Sequence, residues 1–322
     1  MFPSKENLTI CFAHAAYQML DRFEARKTGL RAFQVRSYEE LEKRVGEADV
    51  VVVSGMWKND VIPHARKLKF IQSISSGMDQ YSREQLSAAK VRLCSAAGVN
   101  ARAVAEHAIA LVLAVARRLP EARDNQHKKV WRGMIGDLTQ REDELGGKTM
   151  LVVGMGRIGS HLALLGKAFG MKVIGIRQDP GKGTNGADEI HGMGDLVKLA
   201  ARADIVALTC ALTPETTGLM SAAAFAAMKP SAMFVNVARG KVADEAALIA
   251  AMQGNRIAAA ALDVTAEEPL PASSPLWTMP NVFITPHTAG ETRAYEDNVI
   301  DILIENLDRL GKGDQVLRNQ VL

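Results

Sequence analysis

The chain has 322 residues, 48% of them apolar and 23% charged, with 39 basic against 36 acidic side chains. That composition excludes wholesale disorder and a fibrous chain. A net charge of +3, carried in pairs such as Arg117-Arg118 and Lys128-Lys129, gives no footing for a nucleic-acid partner.

From the N-terminus, the apolar stretch Leu8 to Ala16 contains His14 and follows Lys5 and Glu6, so it reads as a buried strand, at Leu8–Phe12, rather than a signal peptide. Further strands are expected at Val50–Val53, Phe70–Ile74, Val91–Cys94, Met150–Val153, Lys172–Ile176, Ile205–Thr209, Met233–Val237, Ile257–Leu262 and Val282–Thr285. Most are continuous apolar runs, as in parallel strands covered by helices on both faces. Strand and helix alternate, so the class is α/β, and ten strands fit two sheets better than one. The length also suggests two domains. The boundary is expected near residue 100, where a long helix, Ala101 to Leu119, is apolar around most of its circumference. The polar stretch Glu121 to Gly147 follows it, and an amphipathic helix spans Glu291 to Leu310. The longest apolar run, between His107 and Arg117, is too short to cross a bilayer. The cysteines are Cys11, Cys94 and Cys210. Their odd number and wide spacing argue against a disulfide framework or a zinc cluster, hence for no metal and a cytoplasmic setting.

One stretch carries a ligand signal. Met150-Leu-Val-Val-Gly154-Met-Gly156-Arg-Ile-Gly159 joins a strand to the helix Ser160 to Phe169, and Lys172 to Ile176 is the next strand. In that setting Gly154 allows the tight turn, Gly156 lets a pyrophosphate approach the backbone, and Gly159 lets helix and sheet pack closely. Helix N–H groups then face the phosphates. The second strand ends in Gly175-Ile176-Arg177-Gln178-Asp179. A cation rather than an acid at its end, Arg177, suits a 2′-phosphate, so NADP(H) is favoured over NAD(H), with Asp179 keeping NAD possible.

Three later segments set chemistry-bearing residues where strands run into loops. These are Asn236-Val-Ala-Arg239-Gly240, Leu262-Asp263 through Glu268-Pro269, and Thr285-Pro286-His287. Arg239 offers a planar fork for a carboxylate or keto oxygen. His287 is a proton donor, and an acid beside it, Glu268, would fix the ring and favour its charged form. Hydride to carbon and proton to oxygen is what ketone reduction requires.

Taken in order across nearly the whole chain, these motifs resemble the D-isomer-specific 2-hydroxyacid dehydrogenases. The matches are Ser75-Ser76-Gly77-Met78-Asp79, Val104-Ala-Glu106-His-Ala, Leu145-Gly-Gly147-Lys-Thr, Gly154 to Gly159, Leu212-Thr-Pro214-Glu-Thr216, Val237-Ala-Arg239-Gly, Leu262 to Leu270, and Thr285-Pro-His287. Within the family the chain looks closest to the glyoxylate/hydroxypyruvate reductases. The resemblance implies two Rossmann-like domains. A cofactor domain with a doubly wound parallel sheet, residues 101–290, is inserted into a flavodoxin-like substrate domain, residues 1–100 and 291–322. It implies Arg239, Glu268 and His287 as catalytic residues, with the substrate carboxylate on the backbone of Ser75, Ser76 and Gly77. Around the cofactor it implies Val104, Arg157, Ile158, Thr209, Cys210, Thr213, Val237, Ala238 and Gly290, with Asp263 toward the nicotinamide. Met56 and Trp57 are candidate substrate liners, and the expected assembly is a homodimer built on the cofactor domain. Departures include Thr209 where many members carry histidine and Ala211 where many carry proline. Glu268, where formate-oxidising members carry glutamine, argues against that activity. A phosphoglycerate-type dehydrogenase is an alternative, weakened by the chain length, and so is a non-catalytic NAD(H)-sensing protein.

Overall fold

Four consecutive valines, Val50–Val53, are buried on both sides of the strand that they form, and the same holds for most of the sheet strands of this chain. A computed structural model describes residues 2–322. Contacts divide the chain into two units: residues up to Asn100 together with Thr292–Leu322, and Ala101–Glu291.

The first unit contains β1 (Thr9–Ala13), α1 (Met19–Glu24), β2 (Arg31–Val35), α2 (Tyr38–Arg44), β3 (Val50–Val53), β4 (Phe70–Ser73), α3 (Arg83–Ala88) and β5 (Arg92–Cys94). Its sheet is all parallel in the order β2-β1-β3-β4-β5. The helices α2 and α3 start at serine caps, Ser37 accepting from the Glu40 N–H and Ser82 from the Gln85 N–H. The last helix of the chain, Tyr295–Lys312, belongs to this unit and is stopped by Gly313 in the left-handed region. Its stripe of Val299, Leu303, Leu307 and Leu310 packs into the core with Ile10, Phe12, Val50, Val52 and Phe70.

The second unit runs α4 (Ala101–Ala116), α5 (Leu119–His127), β6 (Thr149–Val153), α6 (Arg157–Ala168), β7 (Lys172–Ile176), β8 (Glu189–His191), α7 (Leu196–Ala200), β9 (Ile205–Leu208), α8 (Ala222–Ala227), β10 (Met233–Asn236), α9 (Glu245–Gln253), β11 (Ala259–Leu262) and β12 (Val282–Ile284). Seven parallel strands lie in the order β12-β11-β10-β9-β6-β7-β8. The chain reverses between β6 and β9, which makes the carboxyl ends of those two strands the switch point where ligands of such sheets bind. The expected helix to Leu119 stops at Ala116, because Arg118 turns left-handed (φ 52°), and a second helix, α5, runs from Leu119 into the polar stretch expected from Glu121. The amphipathic helix expected from Glu291 begins at Tyr295, and the helix after the glycine motif begins at Arg157 rather than Ser160. With α10 the label of Tyr295–Lys312, the chain has ten α-helices among its described residues.

Candidate active site

The loops that follow β10, β11 and β12 carry the charged residues, and the last two bring Glu268 and His287 together. Gly240, directly after Arg239, touches the next loop so closely that a Cβ there would lie 1.9 Å from the Thr265 carbonyl atoms. Only glycine lets the loop carrying Arg239 sit against the loop carrying Glu268. The Arg239 guanidinium is half-buried and donates to the Ala238 carbonyl at 2.7 Å, while Asn236 Nδ2 donates to the Arg239 carbonyl at 3.1 Å. Glu268 is held by the Thr265 N–H, which reaches its Oε1 at 3.1 Å. Its other oxygen, Oε2, lies 2.6 Å from Nδ1 of His287. A carboxylate accepting at Nδ1 fixes the ring and directs Nε2 as the proton-bearing edge for a reaction. Both side chains are accessible, on the wall of a cavity of about 610 Å³ that Leu270, Trp277, Ile284 and Pro286 also line.

His287 adopts a left-handed backbone, φ 55°, unusual for a side chain with a Cβ. Asp263, at the end of β11, holds it there. The Asp263 carbonyl accepts the His287 N–H at 2.8 Å. Its carboxylate accepts the Thr288 N–H at 3.0 Å, the Ala289 N–H at 3.1 Å and the Thr285 hydroxyl at 2.6 Å. Asp263 is 2% exposed, so these donors offset the desolvation of a buried carboxylate. Sequence reasoning expects Asp263 at the nicotinamide and misses this role, because main-chain donors leave no residue-type signature.

At the switch point, a Cβ on Gly154 (φ +109°) would lie 2.5 Å from the Cys210 nitrogen, and one on Gly159 would lie 2.2 Å from the Gly154 carbonyl oxygen. Beside Gly156, by contrast, a Cβ would meet nothing within 4 Å. Tight packing at the outer glycines and open space at the middle one fit a dinucleotide whose phosphates approach the backbone at the start of α6. Thr209 closes the turn, its hydroxyl donating to the Gly154 carbonyl at 2.8 Å, and Cys210 follows against Gly154. Thr213 is exposed and its N–H bonds the Thr216 hydroxyl. Arg157 is exposed at the head of α6 and Ile158 half-buried, whereas Val104, Val237 and Ala238 are buried in the core of this unit and Gly290 is half-buried. Arg177 donates from Nη1 to the Lys182 and Gly183 carbonyls, and Asp179 is engaged by the Gly181 N–H at 3.0 Å.

Residues 109–289 match the family described as D-isomer specific 2-hydroxyacid dehydrogenase, NAD binding domain. A glyoxylate reductase of Aeropyrum pernix is 34% identical over 289 residues, 87% of this chain and 85% of that protein. The chain belongs to the D-isomer specific 2-hydroxyacid dehydrogenase family. Another relative, a D-3-phosphoglycerate dehydrogenase of Archaeoglobus fulgidus, is 36% identical over 300 residues, 92% of this chain but 54% of that protein. The chain thus spans about half the length of several curated relatives that it matches. The solved structure of a family protein from Aeromonas salmonicida subsp. salmonicida superposes with a TM-score of 0.86 at 29% identity, covering 98% of this chain and 99% of that one. The two-sheet α/β architecture is therefore that of the D-isomer specific 2-hydroxyacid dehydrogenases, and the cofactor class is a nicotinamide dinucleotide.

In this dehydrogenase-family chain the other predicted residues lie in the first unit. Ser75, Ser76 and Gly77 follow β4. The Ser75 hydroxyl donates to the Gly77 carbonyl at 2.8 Å and accepts from Ser54 Oγ at 2.7 Å, which leaves loop shape rather than a free hydroxyl as its contribution. Ser76 is exposed and Met56 half-buried. Trp57 has to be corrected: it is a core residue, 3% exposed, its indole N–H bonded to Asn59 Oδ1 and its ring against Tyr81. A large apolar ring with its N–H satisfied internally is not available to line a substrate.

Proposed function

We propose that the protein reduces a small 2-keto acid of the glyoxylate or hydroxypyruvate type to the D-2-hydroxy acid, as an NAD(P)H-dependent oxidoreductase. The observation that carries this reading is the 2.6 Å contact of His287 Nδ1 with Glu268 Oε2 on an open cavity wall. A bound reduced nicotinamide supplies the hydride. Arg239 holds the carboxylate and keto oxygen with its planar fork, and the backbone of Ser75-Ser76-Gly77 takes the carboxylate. His287, oriented by Glu268, gives its proton to the keto oxygen as the carbonyl carbon is reduced. Val104, Arg157, Ile158, Thr209, Cys210, Thr213, Val237, Ala238, Asp263 and Gly290 complete the cofactor surroundings in this proposal. A preference for NADPH is supported by Arg177 at the end of β7, with Lys182 exposed in the same loop and Asp179 occupied by the Gly181 N–H.

A phosphoglycerate-type reaction is a second reading, favoured by relatives that carry that name. One plate tests both. Nicotinamide absorbance is followed with glyoxylate, hydroxypyruvate, pyruvate, phenylpyruvate and phosphohydroxypyruvate, each with NADPH and with NADH. Rapid oxidation by glyoxylate or hydroxypyruvate is the expected result. Turnover confined to phosphohydroxypyruvate supports the second reading, and no turnover with bound cofactor supports a sensing protein instead.

A homodimer built on the second unit is part of the proposal. Its support is the segment after α5, where Trp131 is 98% and Met134 103% exposed while Arg132 pairs with Glu142 and Arg141 donates to the Ile135 carbonyl. Arginines fix the segment's shape and its apolar side chains point away, as an interface arm requires. A cytoplasmic location is supported by three cysteines without a disulfide. Among the described residues no helix is long and apolar enough to cross a membrane.

A further inference from the structure

Of the Val104-Ala-Glu106-His107 motif only Val104 enters the site as built so far, yet His107 also reaches it from α4. Its Nε2 lies 2.9 Å from the Thr285 hydroxyl oxygen and 3.5 Å from Asp263 Oδ1. The Thr285 hydroxyl donates its hydrogen to Asp263 Oδ1 at 2.6 Å. A hydroxyl has one hydrogen to give. The contact with His107 therefore has to run the other way, Nε2–H donating to Thr285 Oγ1. Were Nε2 unprotonated, imidazole and carboxylate would both be acceptors competing for that hydrogen 3.5 Å apart, at a buried site where an unpaired acceptor is costly. The chain of bonds has one direction: His107 to Thr285 to Asp263. Asp263 then grips the N–H groups of Thr288 and Ala289 and, through its carbonyl, that of His287. Among the described residues no lysine or arginine pairs with Asp263, so His107 is the one titratable side chain against this buried carboxylate.

We propose that His107 is a positioning residue for His287. By donating from Nε2 to Thr285 it orients the hydroxyl and the Asp263 carboxylate that hold residues 285–289 and keep His287 in its left-handed conformation. The inference rests on the reading of His287 as proton donor, and the test separates the two. Reduction of the best keto acid is measured for the unaltered protein, His107→Leu and His107→Gln, each also combined with His287→Asn. Deuterium exchange is followed at the Thr288 and Ala289 amides. Displacement of a reacting group by about an ångström costs up to roughly 100-fold, so His107→Leu is expected to lower kcat about 10- to 100-fold with the cofactor KM unchanged. His107→Gln, whose amide can still donate, restores most of it. With His287→Asn already present, His107→Leu has no further effect, since residues acting as one unit are not additive. Both amides exchange faster in His107→Leu than in His107→Gln.

An equal loss in both backgrounds, an equal loss for Leu and Gln, or unchanged exchange overturns the proposal. If His287→Asn alone leaves kcat intact, the reading of His287 fails, and the exchange comparison still decides whether His107 holds the loop. Should His107→Leu not fold, Thr285→Val against Thr285→Ser tests the same chain, with loss expected only where the hydroxyl is absent.

Discussion

His287 is held at its side chain by Glu268 and at its backbone by Asp263, and the two holds have different consequences for substitution. Removing the imidazole, as in His287→Asn, removes the proposed proton donor alone. The expected fall in kcat is roughly 10²- to 10⁴-fold, with the dissociation constant of NADPH, read by fluorescence, unchanged. Full activity in that variant would exclude His287 from the chemistry. Arg177 is tested by its effect on cofactor choice. Charge-assisted bonds of about 1.5–3 kcal/mol predict that Arg177→Ala raises the NADPH KM by roughly 10- to 100-fold and leaves the NADH KM nearly still. Equal effects on both cofactors would assign Arg177 to its own loop, where it already bonds the Lys182 and Gly183 carbonyls. At this scale the pairing of Glu268 with His287 is legible in sequence, because an acid and a histidine each stand in a loop that follows a strand. Trp57 is not, because an aromatic residue beside a strand reads the same whether its ring turns toward a ligand or, as here, into the core.

Elements were legible wherever both faces of a strand are covered. The two strands that the apolar-run criterion misses, β2 and β8, each lie at one edge of their sheet, half-buried along most of their length, with Gln34 and Glu189 among their residues. An outer strand is covered less and tolerates polar residues, so its sequence looks like loop. A second device leaves no apolar-run signal in the sequence. Asp49, Asp188 and Asp204 each stand one residue before a strand, after an alanine. Their carboxylates accept the N–H of Thr9, Val173 and Thr149 at 3.0, 2.8 and 2.8 Å, and their own N–H groups donate to the carbonyls of those same residues. The start of one parallel strand is thus pinned to its neighbour three times over. For Asp204, burial raises the carboxyl pKa, but Lys229 Nζ at 2.7 Å and the Thr149 N–H outweigh it and bring it below the usual range. A carboxyl ionised more readily in the folded than in the unfolded chain adds stability that is complete above the unfolded value, near pH 4, and disappears as pH falls through the folded value. Asp204→Asn is therefore expected to cost about 1.5–3 kcal/mol at pH 7 and progressively less toward pH 3, measured by urea unfolding at both pH values. A loss independent of pH would show that shape, not charge, carries the bond.

At the scale of the whole chain, connectivity makes the two units depend on each other. The core of the first unit contains Tyr295, Val299, Ile300, Leu303, Leu307 and Leu310 of α10, which the chain reaches only after the entire second unit. While the second unit is folded, its residues close no loose loop. Once it unfolds, α10 has to be held across a disordered connection of ~190 residues, an entropy cost of about 4–5 kcal/mol from the logarithmic loop term. That is comparable with the 5–15 kcal/mol stability of an ordinary domain, so loss of the second unit should bring the first close to unfolding. Three thiols report on this. Burial pushes Cys11 and Cys94 of the first unit up to about 12 and Cys210 of the second up to about 11. The reactive thiolate is therefore scarce in the native chain at pH 8, and a disulfide reagent should modify all three only after unfolding. A cofactor at 100 times its dissociation constant stabilises the second unit by about 2.7 kcal/mol. With NADPH present, the denaturant concentration at which Cys210 reacts should rise, and Cys11 and Cys94 should rise with it although their unit contains no glycine motif. Protection confined to Cys210 would mean that the first unit retains α10 across an unfolded insertion, and that the loop cost is smaller than the polymer argument allows.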